Sequence, residues 1–452
     1  MVALRSARLE ALLGCRLERV PYSAVTTLIN NQVAEAFDLD FKSEMYGSSD
    51  RDKRDAATDV AALANTAGGL IIGGITEDDQ ARAAAAPGVA LSDADEQRIR
   101  QIVASHVVPM PVFDVVRVED PARPGHGLVL IAVLRSPLAP HAVIVNDGLR
   151  YPRRNGSTTR YLSEPEVAAA YRERFAAAHR QADRAREIEA GALDRLGTAD
   201  DQVWVVTSLV PDLPGELVID QAAFSTARAE LMGQRPLIMP SSLSWQRVTI
   251  GRRRLLADGA MDSGRPARWL SADLHEDGAG VFAAHVLSPV SSEADSGTGE
   301  PVVRRVLDDS MVNGILSGLR FLACHARDRA AAGGNALIRS QLYPLSRQQP
   351  LQLAQYRNGF IDSLGTRIMT EAASTTERVA PLESLASGGP ALVSAAYLLA
   401  TDIFQGFGAA EAAQLTRDGA VRLPYWDREV LPHLQQWAVN AGISVTQQTL
   451  PR

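Results

Sequence analysis

Glu35-Ala-Phe-Asp-Leu-Asp40-Phe41-Lys42, Leu63-Ala-Asn65-Thr66-Ala-Gly68-Gly69 and Ile71-Ile-Gly73-Gly74-Ile-Thr-Glu77 follow one another between residues 35 and 77. Phe37, Leu39 and Phe41 alternate with Asp38, Asp40 and Lys42, the period-two pattern of a half-buried strand with its polar residues on one face. Residues 51–66 then place Ala56, Val60, Leu63 and Ala64 at helical spacing behind a Ser49 or Asp50 cap. Gly68 and Gly69 stop that helix, and residues 70–75 form an apolar run of strand length. Strand, helix and strand in this order bring Glu35, Asp40, Lys42 and Glu77 to one side of a small sheet.

Upstream, residues 21–36 show helical spacing at Val25, Leu28, Ile29, Val33 and Ala36. Downstream, a helix is expected over 93–107 and strands over 112–118, 127–134, 141–146 and 149–154. Asn146-Asp147-Gly148 makes the tight turn between the last two. Ser163-Glu-Pro-Glu166 starts a helix, with a capping serine, a first-turn proline and a glutamate three residues on. That helix runs to about residue 196, and its polar second half reads as a connector. The reading is a 1–175 domain, a 176–199 connector helix and linker, and a 200–452 α+β domain. In the last, strands are expected near 204–209, 244–256, 267–274, 280–287 and 336–343. Helices are expected at 220–232 and 309–331, Ser291 to Glu300 reads as an exposed loop, and the sequence after residue 343 reads as mostly helical. The fold class is α/β, a small mixed sheet followed by a long connector helix and an α+β domain.

With 452 residues, the chain exceeds one ordinary core. The charges interrupting residues 1–20 break up any signal-peptide run, and apolar runs such as 127–134 fall short of a membrane span. A cytoplasmic protein with no membrane partner is expected. Cys15 and Cys324 lie too far apart in sequence to suggest a disulfide framework or a cysteine zinc site, and the eight histidines lack ligand spacing. The net charge of −7 argues against a surface coated with basic residues. Of the 46 basic residues only Lys42 and Lys53 are lysines, and both lie in or beside the opening stretch. Neither sits in Gly-x4-Gly-Lys-Ser/Thr, so a conventional P-loop ATP site is excluded. There is no Gly-x-Ser-x-Gly elbow, and Gly406-Phe-Gly408-Ala-Ala-Glu411 lacks the third glycine of a dinucleotide fingerprint.

Four elements in order, namely Glu35-x4-Asp40-Phe41-Lys42, Leu63-Ala-Asn-Thr-Ala-Gly-Gly69, Ile71-Ile-Gly-Gly-Ile-Thr-Glu77 and Tyr151-Pro-Arg-Arg154-Asn-Gly-Ser-Thr158, resemble the Schlafen AlbA-like domain family over roughly residues 20–172. The family shows Glu-x4-Glu-Phe-Lys, Ala-Phe-Ala-Asn-Thr-x-Gly-Gly, a Gly-Val-Asp-Asp strand end and a late Arg-x-Gly-Ser-Thr. The resemblance implies binding of DNA or of structured RNA such as tRNA. For some eukaryotic members it also implies RNA cleavage by three carboxylates holding Mg²⁺ or Mn²⁺ against the scissile phosphate. Those carboxylates map to Glu35, Asp40 and Glu77, the second and third of which differ from the family by one methylene, about 1.5 Å of reach.

Lys42, Lys53, Arg54, Arg150, Arg153 and Arg154 are the candidate phosphate contacts, with Tyr151 and Tyr161 interleaved for base stacking. Alternation sets Arg150 and Arg154 in one direction and Arg153 opposite, so these three and Arg160 cannot all line one groove. Ion pairing with nearby aspartates is the competing use of Lys42. Asn65, Thr66, Gly68 and Gly69 are either a structural turn or an anion-facing one, and capping a helix is the commoner use. The alternative function is a non-catalytic interaction or assembly module with an inert acidic face, and the oligomeric state is left open.

Overall fold

The computed structural model describes residues 6–198, 202–239, 243–261, 268–286, 304–345, 350–357, 360–369, 375–428 and 430–450. It is an α/β protein whose contacts divide it into two units, Met1–Arg180 and Gln181–Arg452. The boundary falls inside a 33-residue helix.

The first unit runs α1 (Ala7–Leu13), α2 (Tyr22–Asn30), β1 (Leu39–Lys42), α3 (Asp50–Ala64), β2 (Gly68–Gly73), β3 (Thr76–Glu77), β4 (Ala83–Ala85), β5 (Val89–Ala90), α4 (Asp93–His106), β6 (Val107–Val108), β7 (Phe113–Glu119), β8 (His126–Leu134), β9 (Ala142–Val145), β10 (Gly148–Arg150), β11 (Pro152–Asn155), β12 (Thr158–Tyr161) and the start of α5 (Glu164–Leu196). β1 and β2 pair in parallel, Asp40 opposite Ile71, and α3 supplies the crossover that a parallel pair requires. β2 then pairs antiparallel with β8, which also carries β5 and β7. Alternation along β2 sends Leu70 and Ile72 into a core with α1 and α2, and Ile71 into a second core with α3 and α4. The sheet is therefore sandwiched between two pairs of helices.

Local chemistry explains the key boundaries. Ser49 and Asp52 form a reciprocal capping box that starts α3. Gly68 (φ +74°) and Gly69 (φ +150°) begin β2 in conformations that disfavour side chains, and a Cβ on Gly69 would stand 2.3 Å from the Asp38 carbonyl oxygen. Asn146 and Asp147 both take positive φ, as the two-residue hairpin turn between β9 and β10 requires. The helix expected over 21–36 ends instead at Asn30. Beyond it the chain edges along β4: the Ala83 N–H donates to the Val33 carbonyl and the Glu35 N–H to that of Ala81, each 2.9 Å or less.

The second unit begins with the end of α5. Its elements are β13 (Trp204–Leu213), α6 (Gln221–Gly233), β14 (Leu243–Gly251), β15 (Arg254–Met261), β16 (Leu270–His275), β17 (Gly280–His285), β18 (Arg304–Leu307), α7 (Asp308–Cys324), β19 (Gly333–Tyr343), β20 (Leu351–Arg357), β21 (Phe360–Ile368), β22 (Thr376–Pro381), α8 (Leu382–Ser387), α9 (Pro390–Gly406) and α10 (Leu431–Asn440). Seven antiparallel strands are ordered β14-β15-β16-β17-β13-β19-β22. One face carries α7 with α8 and α9 over the largest core; the other carries Ala185, Ile188, Ala192 and Leu196 of α5.

Two expectations are corrected here. The second half of α5 is not a bare connector, because its small and aliphatic residues at helical spacing pack on Trp204, Val206 and Val281. The region after residue 343 is not mostly helical, since β20, β21 and β22 intervene. The loop expected at Ser291 to Glu300 lies outside the described residues.

Candidate functional site

Strand alternation in β1 buries Leu39 and Phe41 against α1 and α2 and turns Asp40 and Lys42 toward α3. Asp40 is 2% exposed. One of its oxygens accepts from Arg154 Nη1 at 2.8 Å, and the other lies 2.6 Å from Lys42 Nζ. Arg154 arrives from β11 and also donates to the Ala36 carbonyl at 3.1 Å, while its backbone N–H donates to Thr66 Oγ1 at 3.0 Å. Lys42 lies 3.4 Å from Asp59 of α3, whose carboxylate accepts from the Tyr46 hydroxyl at 2.8 Å. Burial pushes the Asp59 carboxyl up against the opposing pull of Lys42, and pushes the Tyr46 hydroxyl up further, with Asp59 adding to it. For Lys42, burial favours the neutral amine, but Asp59 and Asp40 outweigh it and raise the ammonium. Asp38, expected to share the polar face of the strand, instead lies in the turn just before β1 and pairs with Arg8 of α1.

Glu35 reaches the same place from the edge along β4. Its Oε1 accepts from the Phe41 N–H at 2.7 Å. Half-burial, the Asp40 charge and the approach of Glu77 to hydrogen-bonding reach raise its carboxyl to about 8 against the opposing Phe41 N–H. The structure thus gathers Glu35, Asp40 and Glu77. At neutral pH Glu35 holds a proton and can donate a hydrogen bond or act as an acid. The set as arranged does not fit a divalent cation: the Asp40 oxygens already face Arg154 and Lys42, and among the described residues no three His, Cys, Asp or Glu side chains could hold a metal ion.

The remaining candidates separate by exposure. Arg154, expected to contact phosphate, is buried and committed to Asp40 and backbone carbonyls, because β11 alternates and its neighbour Arg153 takes the outward position. Arg153 and Arg160 are directly opposed on the exposed face of the β11–β12 hairpin. Arg160 is clamped by both Glu166 oxygens, whereas Arg153 has no partner among the described residues. Arg150 lies 5.6 Å from the ring centre of the exposed Tyr161, and Tyr151 meets Tyr171 edge to face. Lys53 and Arg54 stand at the start of α3, where Asp50 engages both.

Asn65, Thr66, Gly68 and Gly69 take structural roles. Asn65 donates to the carbonyls of His141 and Pro152 and accepts from the His141 N–H at 2.6 Å, pinning α3 to the strands around it. Asp59 and Tyr46 did not emerge from the sequence reading. The signal for Asp59 was present: it interrupts the buried stripe of Ala56, Val60 and Leu63 at a core-facing position, where an acid needs a partner.

Residues 35–163 match the family model described as Schlafen, AlbA_2. No curated protein matches the chain. Among solved structures, the DIP2311 protein from Corynebacterium diphtheriae is 22% identical over 37% of this chain, with a TM-score of 0.24, and the match spans 29% of that protein. That likeness is too weak to bear on fold or function. The family match and the site lie in the same stretch of chain: residues 35–163 are similar to the Schlafen, AlbA_2 family, a likeness that suggests a nucleic-acid-related role.

Proposed function

We propose that the first unit binds nucleic acid through exposed residues of β10, β11 and β12, namely Arg150, Arg153 and Tyr161. The carrying observation is the opposition of Arg153 and Arg160. Glu166 already holds Arg160, so Arg153 beside it is the exposed cation left free to take a phosphate. Tyr161, with Arg150 over its ring, offers a stacking platform for an unpaired base. The likeness to the Schlafen, AlbA_2 family supports the same reading. Anisotropy titrations with labelled tRNA and duplex DNA, comparing the natural chain with Arg150→Ala/Arg153→Ala, test it. Binding that weakens with salt and with the double substitution is expected; affinity indifferent to both would sink the proposal and favour the interaction-module reading.

RNA cleavage is the second reading, favoured by the gathering of Glu35, Asp40 and Glu77. No step is assigned to a metal, because Asp40 is already engaged by Lys42 and Arg154. Within the chain, Glu35 would hold a proton beside the reacting phosphate and Lys42 would face its charge. Incubation of the protein with tRNA, with and without Mn²⁺, tests this against Glu35→Gln and Asp40→Ala. Equal cleavage by all three proteins refutes the site.

A further inference from the structure

A cavity of about 480 Å³ opens at the β14 edge of the second unit's sheet, and three guanidinium groups, Arg195, Arg247 and Arg268, line it with a single carboxylate, Asp258. The carboxylate is spent on orientation. Asp258 accepts from Arg195 Nη1 at 2.8 Å and from Ser271 Oγ at 3.1 Å, and lies 3.3 Å from Arg268 Nε. Arg195 is held from behind by the fully buried Asp273, and Arg268 Nη1 donates to the Arg195 carbonyl at 2.9 Å. Two of the three cations are therefore fixed before any ligand arrives, and Arg247 has no partner among the described residues.

The backbone is also shaped for this cavity. On a regular strand Gln246 and Arg247 would point to opposite faces, yet both line the cavity. The register of β14 on β15 slips between Trp245, opposite Gly259, and Arg247, opposite Asp258, leaving Gln246 as the extra residue of a bulge. Such a bulge re-aims side chains and breaks the alternation. Gln246 and Gln202 add carboxamides able to donate and accept.

We infer that this cavity binds a phosphate-bearing small molecule of nucleotide size. Planar guanidinium forks match phosphate oxygens two at a time, and fixed forks lose little freedom on binding. The volume lies in the range of small-ligand sites, and the carboxamides suit the polar edge of a base or sugar. The inference is independent of nucleic-acid binding by the first unit, since every residue it uses belongs to the second.

Calorimetric titration of the full chain with adenosine monophosphate, inorganic phosphate and adenosine tests it. The nucleotide is expected to bind more tightly than inorganic phosphate, and adenosine to bind at least about tenfold more weakly than the nucleotide. Arg247→Ala, a substitution at an exposed residue, is expected to leave the melting temperature unchanged and weaken the nucleotide by about tenfold. Arg186→Ala, on the outward face of α5 and outside the cavity, is expected to leave nucleotide affinity unchanged. Absence of nucleotide binding, adenosine matching the nucleotide, inorganic phosphate matching it, or an Arg247→Ala variant of undiminished affinity each overturns the inference.

Discussion

Arg153 and Arg154 are adjacent in sequence and opposite in circumstance, one exposed and one 6% exposed. Removing one partner of a buried, hydrogen-bonded pair strands the other charge, so Arg154→Ala is expected to destabilise the first unit by about 3–5 kcal/mol. Arg153→Ala is expected to stay within about 0.5 kcal/mol while weakening nucleic-acid binding. Urea denaturation of both variants checks the contrast. Glu35 supplies a pH dependence. Its folded value near 8 stands above the ordinary value of about 4.3, so between them the folded chain keeps a proton that the unfolded chain has released. Stability is therefore expected to fall as pH rises through that window, with the loss complete above it. Denaturation midpoints from pH 5 to 9 should show this fall, and Glu35→Gln should flatten it; an unflattened profile assigns the effect elsewhere.

Among the elements, α5 makes the sharpest test of packing against propensity. If its second half were only a connector, trimming Ile188 would be silent. Because Ile188 is 2% exposed in the core beneath the sheet, Ile188→Ala is expected to cost about 2–5 kcal/mol, and Arg186→Ala, on the outward face, less than about 0.5 kcal/mol. Thermal melting of the two variants distinguishes the cases. Periodicity in the sequence located β1, α3, β2 and the β9–β10 turn because each carries its own local signal: alternation, a candidate cap at Ser49 or Asp50, paired glycines, and Asn-Asp-Gly. It overran α2, whose last apolar residues serve an edge along β4, since a short apolar run does not say which partner it will meet. It missed β22, whose pairing with β19 is non-local, and the β20–β21 pair, whose short apolar runs carry no strong alternation. At the site, residue types were legible, but which arginine turns inward depended on register.

The whole chain is acidic, with 53 acidic against 46 basic residues. The proposed nucleic-acid contact would therefore come from a local face, and among the described residues no helix is long and apolar enough to cross a membrane. Two contacts from Arg150 and Arg153, with Arg160 held by Glu166, predict a slope of log affinity against log salt of about −1.5 to −2. Removing Arg153 should reduce its magnitude by about 1. Titrations at stepped NaCl concentrations measure both, and a flat profile contradicts electrostatic binding by this face.

The bond between Arg154 and Asp40 joins residues 114 positions apart. On a ribosome adding about 5–20 residues per second, the strand that carries Asp40 emerges roughly 6–23 seconds before its guanidinium partner exists. During that interval the newborn sheet holds an acid with only Lys42 to answer it, so the domain cannot close its polar interior from the front of the chain backward. Closure of the polar interior waits on one of the last hairpins to be made, and a truncated chain released before residue 154 is expected to be a substrate for proteolysis rather than a smaller working domain.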